Sequence, residues 1–349
     1  MVAMADVARR YATNWSHHLY TLPVVVLMPH SRCNCRCVMC DIWKANQTRQ
    51  EISTSDLERH VDSLAALRVG WVVLSGGEPL MHSNLWALCE LLRQRRVRIS
   101  LLSTGLLLER HAHDVTRWCD EVIVSLDGSP EAHDKIRRVP GAFDTLAAGV
   151  GALRNAQPGY RVTGRCVLQR LNSHDLTGVI DAARVVGLDQ LSFLGVDVSS
   201  RAFNRPDGWS AKRTAEVALT PDEARAFARL VEDVIATRSD DFASGFIAET
   251  PDRLRRIARY FLAVNGLGDY PRPSCNAPWV SAVIEADGTV RPCFFHQPLG
   301  NIREQPLAAI LNSDQAKAFR RGLDVTRNEI CRTCVCTLHV SPWFGSSSP

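Results

Sequence analysis

Between residues 24 and 196 the chain alternates short, β-rich apolar runs with amphipathic helical stretches six times over, and no other feature limits its possible folds as much. The apolar runs are 24–28, 71–74, 97–102, 121–126, 161–168 and 190–196. Helical spacing follows most of them, at 53–69 (capped by Ser53 or Ser55), 85–92, 108–118, 141–153 and 173–186, the last opened by an Asn172-Ser173 cap. Strands separated by helices of this length pair in parallel through right-handed crossovers. The fold class is therefore α/β, either an open doubly wound sheet or a barrel, and periodicity does not separate the two. In a barrel, chemistry gathers at the carboxyl ends of the strands.

One such end carries an unusual density of thiols. Residues 33–40 read Cys-Asn-Cys-Arg-Cys-Val-Met-Cys, within which Cys33, Cys37 and Cys40 form a Cys-x3-Cys-x2-Cys set. Three thiolates hold three irons of a [4Fe–4S] cube and leave the fourth iron open, whereas a purely electron-carrying cluster takes four cysteines. Zinc sites favour paired Cys-x2-4-Cys elements and a thioredoxin-like site needs one Cys-x2-Cys, so neither explains unequal gaps in a triplet. A disulfide framework suits a small secreted domain, and residues 1–20 show no apolar signal core. The twelve cysteines cluster at 33–40 and 275–336, with Cys89, Cys119 and Cys166 scattered between, as metal ligands in a reducing compartment would.

Composition removes several function classes. No apolar run approaches membrane-spanning length, so no membrane insertion is expected. The net charge of +4 is small and dispersed, which argues against a nucleic-acid surface, and the basic run 93–98 reads as a solvated helix end. A cytoplasmic location is expected.

The triplet loop after a first strand resembles that of the radical S-adenosylmethionine (radical SAM) enzymes. Gly76-Gly77-Glu78-Pro79, following the run 71–74, is similar to the family's glycine-rich segment, which receives the methionine amino group of S-adenosylmethionine. Met39 stands where the family usually has an aromatic residue, and as an apolar, polarisable side chain it is expected to pack on the adenine. Cys35 departs from the pattern and is expected to face away as a bystander. The resemblance spans about residues 20 to 200 and implies a partial, six-stranded TIM-like (β/α)6 barrel. At the strand ends, Ser103 and Thr104 with Gly105 would admit a ribose or a carboxylate, and Ser125 and Asp127 sit at alternate positions pointing into one mouth. The resemblance also implies that Ser125 and an arginine take the methionine carboxylate. Arg137, on a loop in the run 133–138, is the candidate because a guanidinium pairs with a carboxylate in two places. Gln169 and Asn172 suit ribose hydroxyls, with helix capping the alternative for Asn172.

Residues 197–219 have loop composition and would lie over the barrel mouth as a lid or an idle insertion. Helices are expected at 220–238, opened by a capping box with Pro221, and at 251–264. Beyond them, a hairpin turning at Asp287-Gly288 would bring Cys275 and Cys293 together, and Cys331 and Cys334 would complete a four-thiolate site. This resembles the single-cluster "twitch" form of the SPASM module of radical SAM enzymes. Zinc is the competing reading of these four thiols taken alone. Cys336 is a fifth thiol that could replace Cys334, stay inert, or donate a hydrogen atom to a substrate radical.

The expected organisation is a strap at 1–20, the barrel at 21–197, a lid and linking helices at 198–270, a cysteine-rich hairpin module at 271–340 and a tail at 341–349. The resemblance implies S-adenosylmethionine bound at a [4Fe–4S] cluster, a second [4Fe–4S] cluster, a flavodoxin- or ferredoxin-type electron donor, and a 5′-deoxyadenosyl radical that removes hydrogen from an unactivated carbon. Oxidation and epimerisation are both open outcomes. Twenty residues before the first strand leave no room for the leader-binding domain many peptide-modifying relatives carry, so a small-molecule substrate is weighed ahead of a peptide presented by a separate protein. A non-catalytic iron–sulfur or zinc scaffold is the alternative of another class.

Overall fold

The computed structural model describes residues 4–205 and 207–343, so Pro206 of the expected lid and residues 344–349 of the expected tail lie outside the described residues. Nine strands form one sheet: β1 Val24–Leu27, β2 Trp71–Leu74, β3 Arg98–Ser103, β4 Glu121–Ser125, β5 Val162–Leu168, β6 Gln190–Gly195, β7 Ser281–Ile284, β8 Thr289–Arg291 and β9 Gly300–Asn301. Their spatial order is β6-β5-β4-β3-β2-β1-β7-β8-β9, and every neighbouring pair from β1 to β6 is parallel. A doubly wound sheet reverses its strand order at a switch point. Here each crossover adds the next strand on the same side, so right-handed connections place their helices on one face and the sheet curls around the other. The result is the partial barrel.

Burial along the strands follows this curl. On β4 and β6, residues turned to the helices (Val122, Val124, Leu191, Phe193) are almost fully buried, whereas their alternating neighbours Ile123, Ser125, Ser192 and Leu194 remain half-buried. Those neighbours line a lumen. The free edge of β6 gains only a short parallel bridge, Leu191 to Ile247.

Several local expectations change. The stretch 4–16 is a helix, Met4–Ser16, rather than an extended strap. The single helix expected over 53–69 is two, Thr54–Glu58 and Val61–Ala66. The break falls at His60, whose ring is drawn to the backbone of the C-terminal region, with Nε2 2.7 Å from the Ile302 carbonyl and Nδ1 accepting the Leu307 amide. The helix expected from Ser173 begins at Leu176 and is capped by Asp175. Trp279 is not in the first strand of the hairpin, as its β-rich surroundings predict, but in the short helix Ala277–Val280. The stretch 197–219 is not all loop, since it contains the helix Ala211–Val217. The hairpin β7–β8 forms at the expected turn, but β7 pairs in parallel with β1, so the cysteine-rich region continues the barrel sheet. Among the described residues no helix is long and apolar enough to cross a membrane.

Two glycines at positive φ separate backbone strain from steric conflict. Gly141 (φ +71°) has open space where a Cβ would stand, while at Gly105 (φ +91°) a Cβ would lie 2.4 Å from Leu146 Cδ1. Gly141→Ala should therefore cost about 1 kcal/mol, the left-handed strain alone. Gly105→Ala adds overpacking and should cost roughly 3 kcal/mol. Urea denaturation midpoints at constant slope check the ranking.

Candidate iron–sulfur and cofactor site

The cysteine loop leaves the carboxyl end of β1 and is fixed at several backbone points. Asn46 clamps Cys33 twice, accepting its amide at 2.9 Å and donating to its carbonyl at 3.0 Å. Trp43 Nε1 donates to the Cys40 carbonyl at 2.9 Å. The amides of Arg36 and Val38 donate to the carbonyls of Arg137 and Ile136 at 3.2 and 3.0 Å. Gly77 lies so close to this loop that a Cβ would stand 2.0 Å from the Arg32 carbonyl oxygen.

Each sulfur of the triplet accepts an N–H donor. Cys33 Sγ takes the Cys35 amide at 3.5 Å, Cys37 Sγ takes the Arg137 guanidinium at 3.5 Å, and Cys40 Sγ takes the Ile42 amide at 3.4 Å. Such donors favour thiolate and tune a bound cluster. Cys35 does not face away as expected. It is buried between Cys33 and Cys37 and hydrogen-bonds to both, which raises its own pKa. The same bond from Cys35, together with the Arg137 charge, brings Cys37 down to about 6 against the opposing effect of burial. Burial pushes Cys40 up to about 12.

The strand-end residues come together, but several engage one another. Fully buried Glu78 accepts from Ser103 Oγ at 3.1 Å, from the Thr104 amide and hydroxyl at 2.7 Å each, and from the Leu80 amide at 3.1 Å. The carboxylate that Ser103 and Thr104 reach is thus the chain's own. Burial raises the Glu78 pKa against the lowering effect of those bonds. Pro79 is buried at the start of the 3-10 turn Pro79–Met81, and Met39 packs half-buried against the core. Arg137 is not on a loop. It ends the helix Pro130–Arg137, is buried, and pairs with Asp127 at 2.6 Å. Asp127 also accepts the Val167 amide at 3.2 Å, so both residues of the pair are engaged within the chain, Arg137 keeping its buried Nε without a hydrogen-bond partner. Asn172 is likewise engaged, donating to the carbonyls of Asp127 and Val167 and accepting the Gln169 amide.

Gln169 has neither of its side-chain polar atoms engaged. Its Oε1 and Nε2 are both buried without a protein partner, as is Asn34 Nδ2 on the cysteine loop. Buried amides seldom go unsatisfied, and an absent polar ligand explains them. Ser125 is half-buried beside Arg165 across the β4–β5 register.

The stretch after β6 closes over this loop. Trp209 Nε1 donates to Asp41 Oδ2 at 2.7 Å, Asn204 donates to the Asp41 carbonyl at 3.3 Å, and Arg213 donates to the Val38 carbonyl. Arg205, paired with Asp197, stacks on Trp209 at 4.4 Å. Phe203 packs on Phe294 and Phe295 with ring centroids 5.5 and 5.9 Å apart.

In the C-terminal region the hairpin gathers the second set of thiols. The charges of Cys275 and Cys293 reach Cys331, Cys334 and Cys336 alike. Cys275 Sγ accepts the Ala277 amide at 3.5 Å, Cys293 accepts the amides of Phe295 and His296, and His296 Nε2 lies 3.4 Å from Cys331 Sγ. The Cys334 thiol donates to the Cys336 carbonyl at 2.9 Å. Among the described residues no three Cys, His, Asp or Glu side chains close on a single-ion point, whereas an iron–sulfur cube takes its thiolates at separate irons. Soft donors bearing N–H···S bonds fit such a group in both places.

Comparison with known proteins agrees. The model of the radical SAM superfamily matches residues 27–183, and that of SPASM, an iron–sulfur cluster-binding domain, matches 275–335, together more than half the chain. The chain belongs to the radical SAM superfamily. It is 27% identical over 330 residues to the Fe-coproporphyrin III synthase of Methanosarcina barkeri, covering 89% of this chain and 80% of that protein. It is 28% identical over 315 residues to the PqqA peptide cyclase of Ruegeria pomeroyi, covering 87% and 77%. Among solved structures, Streptococcus suis SuiB bound to S-adenosylmethionine shares the fold with a TM-score of 0.64 at 13% identity, covering 95% and 76% of the two chains. The cofactors of this radical SAM chain are S-adenosylmethionine and iron–sulfur clusters, the SPASM region carrying the auxiliary one.

Sequence reasoning passed over Asn34, Asn46, Arg165, His133 and Glu249. Arg165 alone left a signal, a charge at an alternate position within an apolar strand. His133 is fully buried, its Nδ1 accepting the Asp127 amide at 3.2 Å. Burial, with the Arg137 charge, holds its pKa down to about 4. The unfolded chain takes up this proton near pH 6.5, so the neutral ring's contribution is complete above that pH and is lost as pH falls toward 4. Between pH 7.5 and 5.5 this one group should remove roughly 1 kcal/mol. Urea unfolding at the two pH values, with His133→Asn reducing the difference, tests the assignment.

Proposed function

We propose that this chain is an enzyme that reductively cleaves S-adenosylmethionine at a [4Fe–4S] cluster held by Cys33, Cys37 and Cys40, and that it removes a hydrogen atom from an unactivated carbon of a small molecule or peptide. The observation that carries the reading is the triplet itself, three thiols on one pinned loop, each with an N–H donor and with no fourth ligand supplied by the same pattern. Once bound, the cofactors supply the one-electron reduction and the 5′-deoxyadenosyl radical, the electron coming from a flavodoxin- or ferredoxin-type donor. The chain positions them. Gly76 and Gly77 pack against Met28 and Arg32 too closely for a side chain, which holds their backbone in place to receive the methionine amino group, and Glu78, held by Ser103 and Thr104, fixes that segment. Gln169 and Asn34 offer unengaged amides for ribose hydroxyls, and Met39 offers an apolar surface for the adenine. Cys275, Cys293, Cys331 and Cys334 hold the auxiliary cluster, while Cys336, which feels the charge of Arg165, is a candidate hydrogen donor. The free thiols suit the cytoplasm.

Peptide maturation with a separate leader-binding partner is the second reading, favoured by the likeness to the PqqA peptide cyclase. The Fe-coproporphyrin III synthase favours the small-molecule reading.

Anaerobic reconstitution followed by chromatography of the nucleoside products tests the activity. The wild type with dithionite should release 5′-deoxyadenosine and Cys37→Ala should not; a non-catalytic scaffold would release none in either case. Iron analysis tests the ligand sets. Cys35→Ala should retain iron, and joint replacement of Cys275, Cys293, Cys331 and Cys334 by Ala should halve it. Unchanged iron accompanied by lost zinc in the quadruple variant would count against the auxiliary cluster.

A further inference from the structure

A cavity of about 690 Å³ runs through the lumen between the inner sides of β4, β5 and β6 and the C-terminal segment 334–341. That is ample for a small ligand or part of a larger one. At the amino ends of the strands its charged side chains are paired within the chain. Trp71 Nε1 donates to Ser100 Oγ at 2.8 Å, Ser100 donates to Glu121 at 2.6 Å, and Arg98 and Arg161 pair with Glu121 at 2.9 and 3.3 Å. Nothing there calls for a ligand.

Further along the lumen two guanidiniums stand without an ion-pair partner among the described residues. Arg165 stands on β5 level with Ser125 of β4 and Ser192 of β6, and donates only its Nε, to Ser192 Oγ at 3.3 Å. Arg253, at the exposed side of the cavity, has no side-chain hydrogen bond. Among the described residues no carboxylate forms an ion pair with either guanidinium. The acid that feels both is Glu249, whose Oε2 is buried and unpartnered. Burial lifts its carboxyl to about 7, so near neutral pH it offsets only part of the charge of the two arginines. The remaining wall combines apolar side chains, among them Ile123, Phe193, Leu194, Tyr260 and Val335, with the polar Arg256, Arg332 and His339.

On the radical SAM reading above, we propose that this cavity selects a substrate carrying a carboxylate on an apolar body, the carboxylate being held by Arg165 and Arg253. A planar guanidinium with free terminal nitrogens is the side chain best matched to a carboxylate's two oxygens. Held there, the ligand body lies against the inner sides of β4, β5 and β6 and the C-terminal segment 334–341.

Two fluorescent probes of similar body separate charge from shape: dansyl-glutamate, which carries carboxylates, and dansylamide, which carries none. Titrated into the reconstituted holoenzyme, dansyl-glutamate should bind at least tenfold more tightly. Arg165→Gln should weaken dansyl-glutamate about tenfold, the loss of one charge-assisted contact, and leave dansylamide unchanged. Equal affinity of the wild type for both probes, or an Arg165→Gln variant that binds dansyl-glutamate as the wild type does, overturns the assignment. If Arg165→Gln loses both probes together, Arg253→Gln decides, because that side chain is exposed and its removal disturbs no packing. Selective loss of dansyl-glutamate then supports the site, and no loss overturns it. Release of 5′-deoxyadenosine by the same wild-type preparation reports separately on the radical SAM activity, so failure of one reading leaves the other measurable.

Discussion

Every crossover from β1 to β6 adds its strand on the same side of the growing sheet, and the rest of the structure depends on that constraint. Parallel strands wound in one direction bring six carboxyl ends onto one rim and send alternate side chains into one lumen. The rim collects the cysteine loop, Glu78, Ser103, Thr104, Asp127 and Gln169 from five separate strand ends. The lumen collects Trp71, Ser100, Glu121, Arg165 and Ser192. Residues more than a hundred positions apart become neighbours without any long connection having to be ordered.

Burying so many polar groups on a rim is unfavourable unless each finds a partner. Glu78 is satisfied by three neighbours, Ser103, Thr104 and Leu80, and Asp127 by Arg137 and a strand amide. A buried ion pair adds little net stability, but removing one partner strands the other, at a cost of roughly 3–5 kcal/mol. Its contribution here is geometric. The helix that ends in Arg137 also offers its last carbonyls to the amides of Arg36 and Val38, and the guanidinium itself donates to Cys37. The Asp127–Arg137 pair thus ties the cysteine loop to the fourth strand, so the loop does not depend on bound metal alone for its shape.

What was legible in the sequence follows the same division. Period and spacing revealed all six barrel strands and the hairpin, because alternation and cysteine gaps are local properties. Partner choice is not local. Arg137 looked like a surface arginine available to a ligand, yet a helix turns it inward onto Asp127. Asn172 looked like a cap, yet Asp175 caps the helix and Asn172 bridges two strand ends. Cys35 looked like a bystander because the loop's spacing is complete without it, and only the folded loop places it between Cys33 and Cys37. Glu249 carried no signal at all, since its meaning comes from the segment that extends the edge of β6 beside Arg165.

The two cysteine sets, more than 230 residues apart in sequence, are joined by the stretch that follows β6. Asp197 holds Arg205, Arg205 stacks on Trp209, and Trp209 bonds Asp41, the residue next to Cys40. Phe203 in the same stretch packs on Phe294 and Phe295, beside Cys293. Lifting this cover would break the buried Asp197–Arg205 pair, whose side chains are 7% and 2% exposed, at a cost of roughly 3–5 kcal/mol. The opposite side of the lumen needs no such rupture, because Arg253 and Arg332 already stand exposed where the cavity meets solvent. Access from that side would leave the bonds of this stretch to the cysteine loop intact.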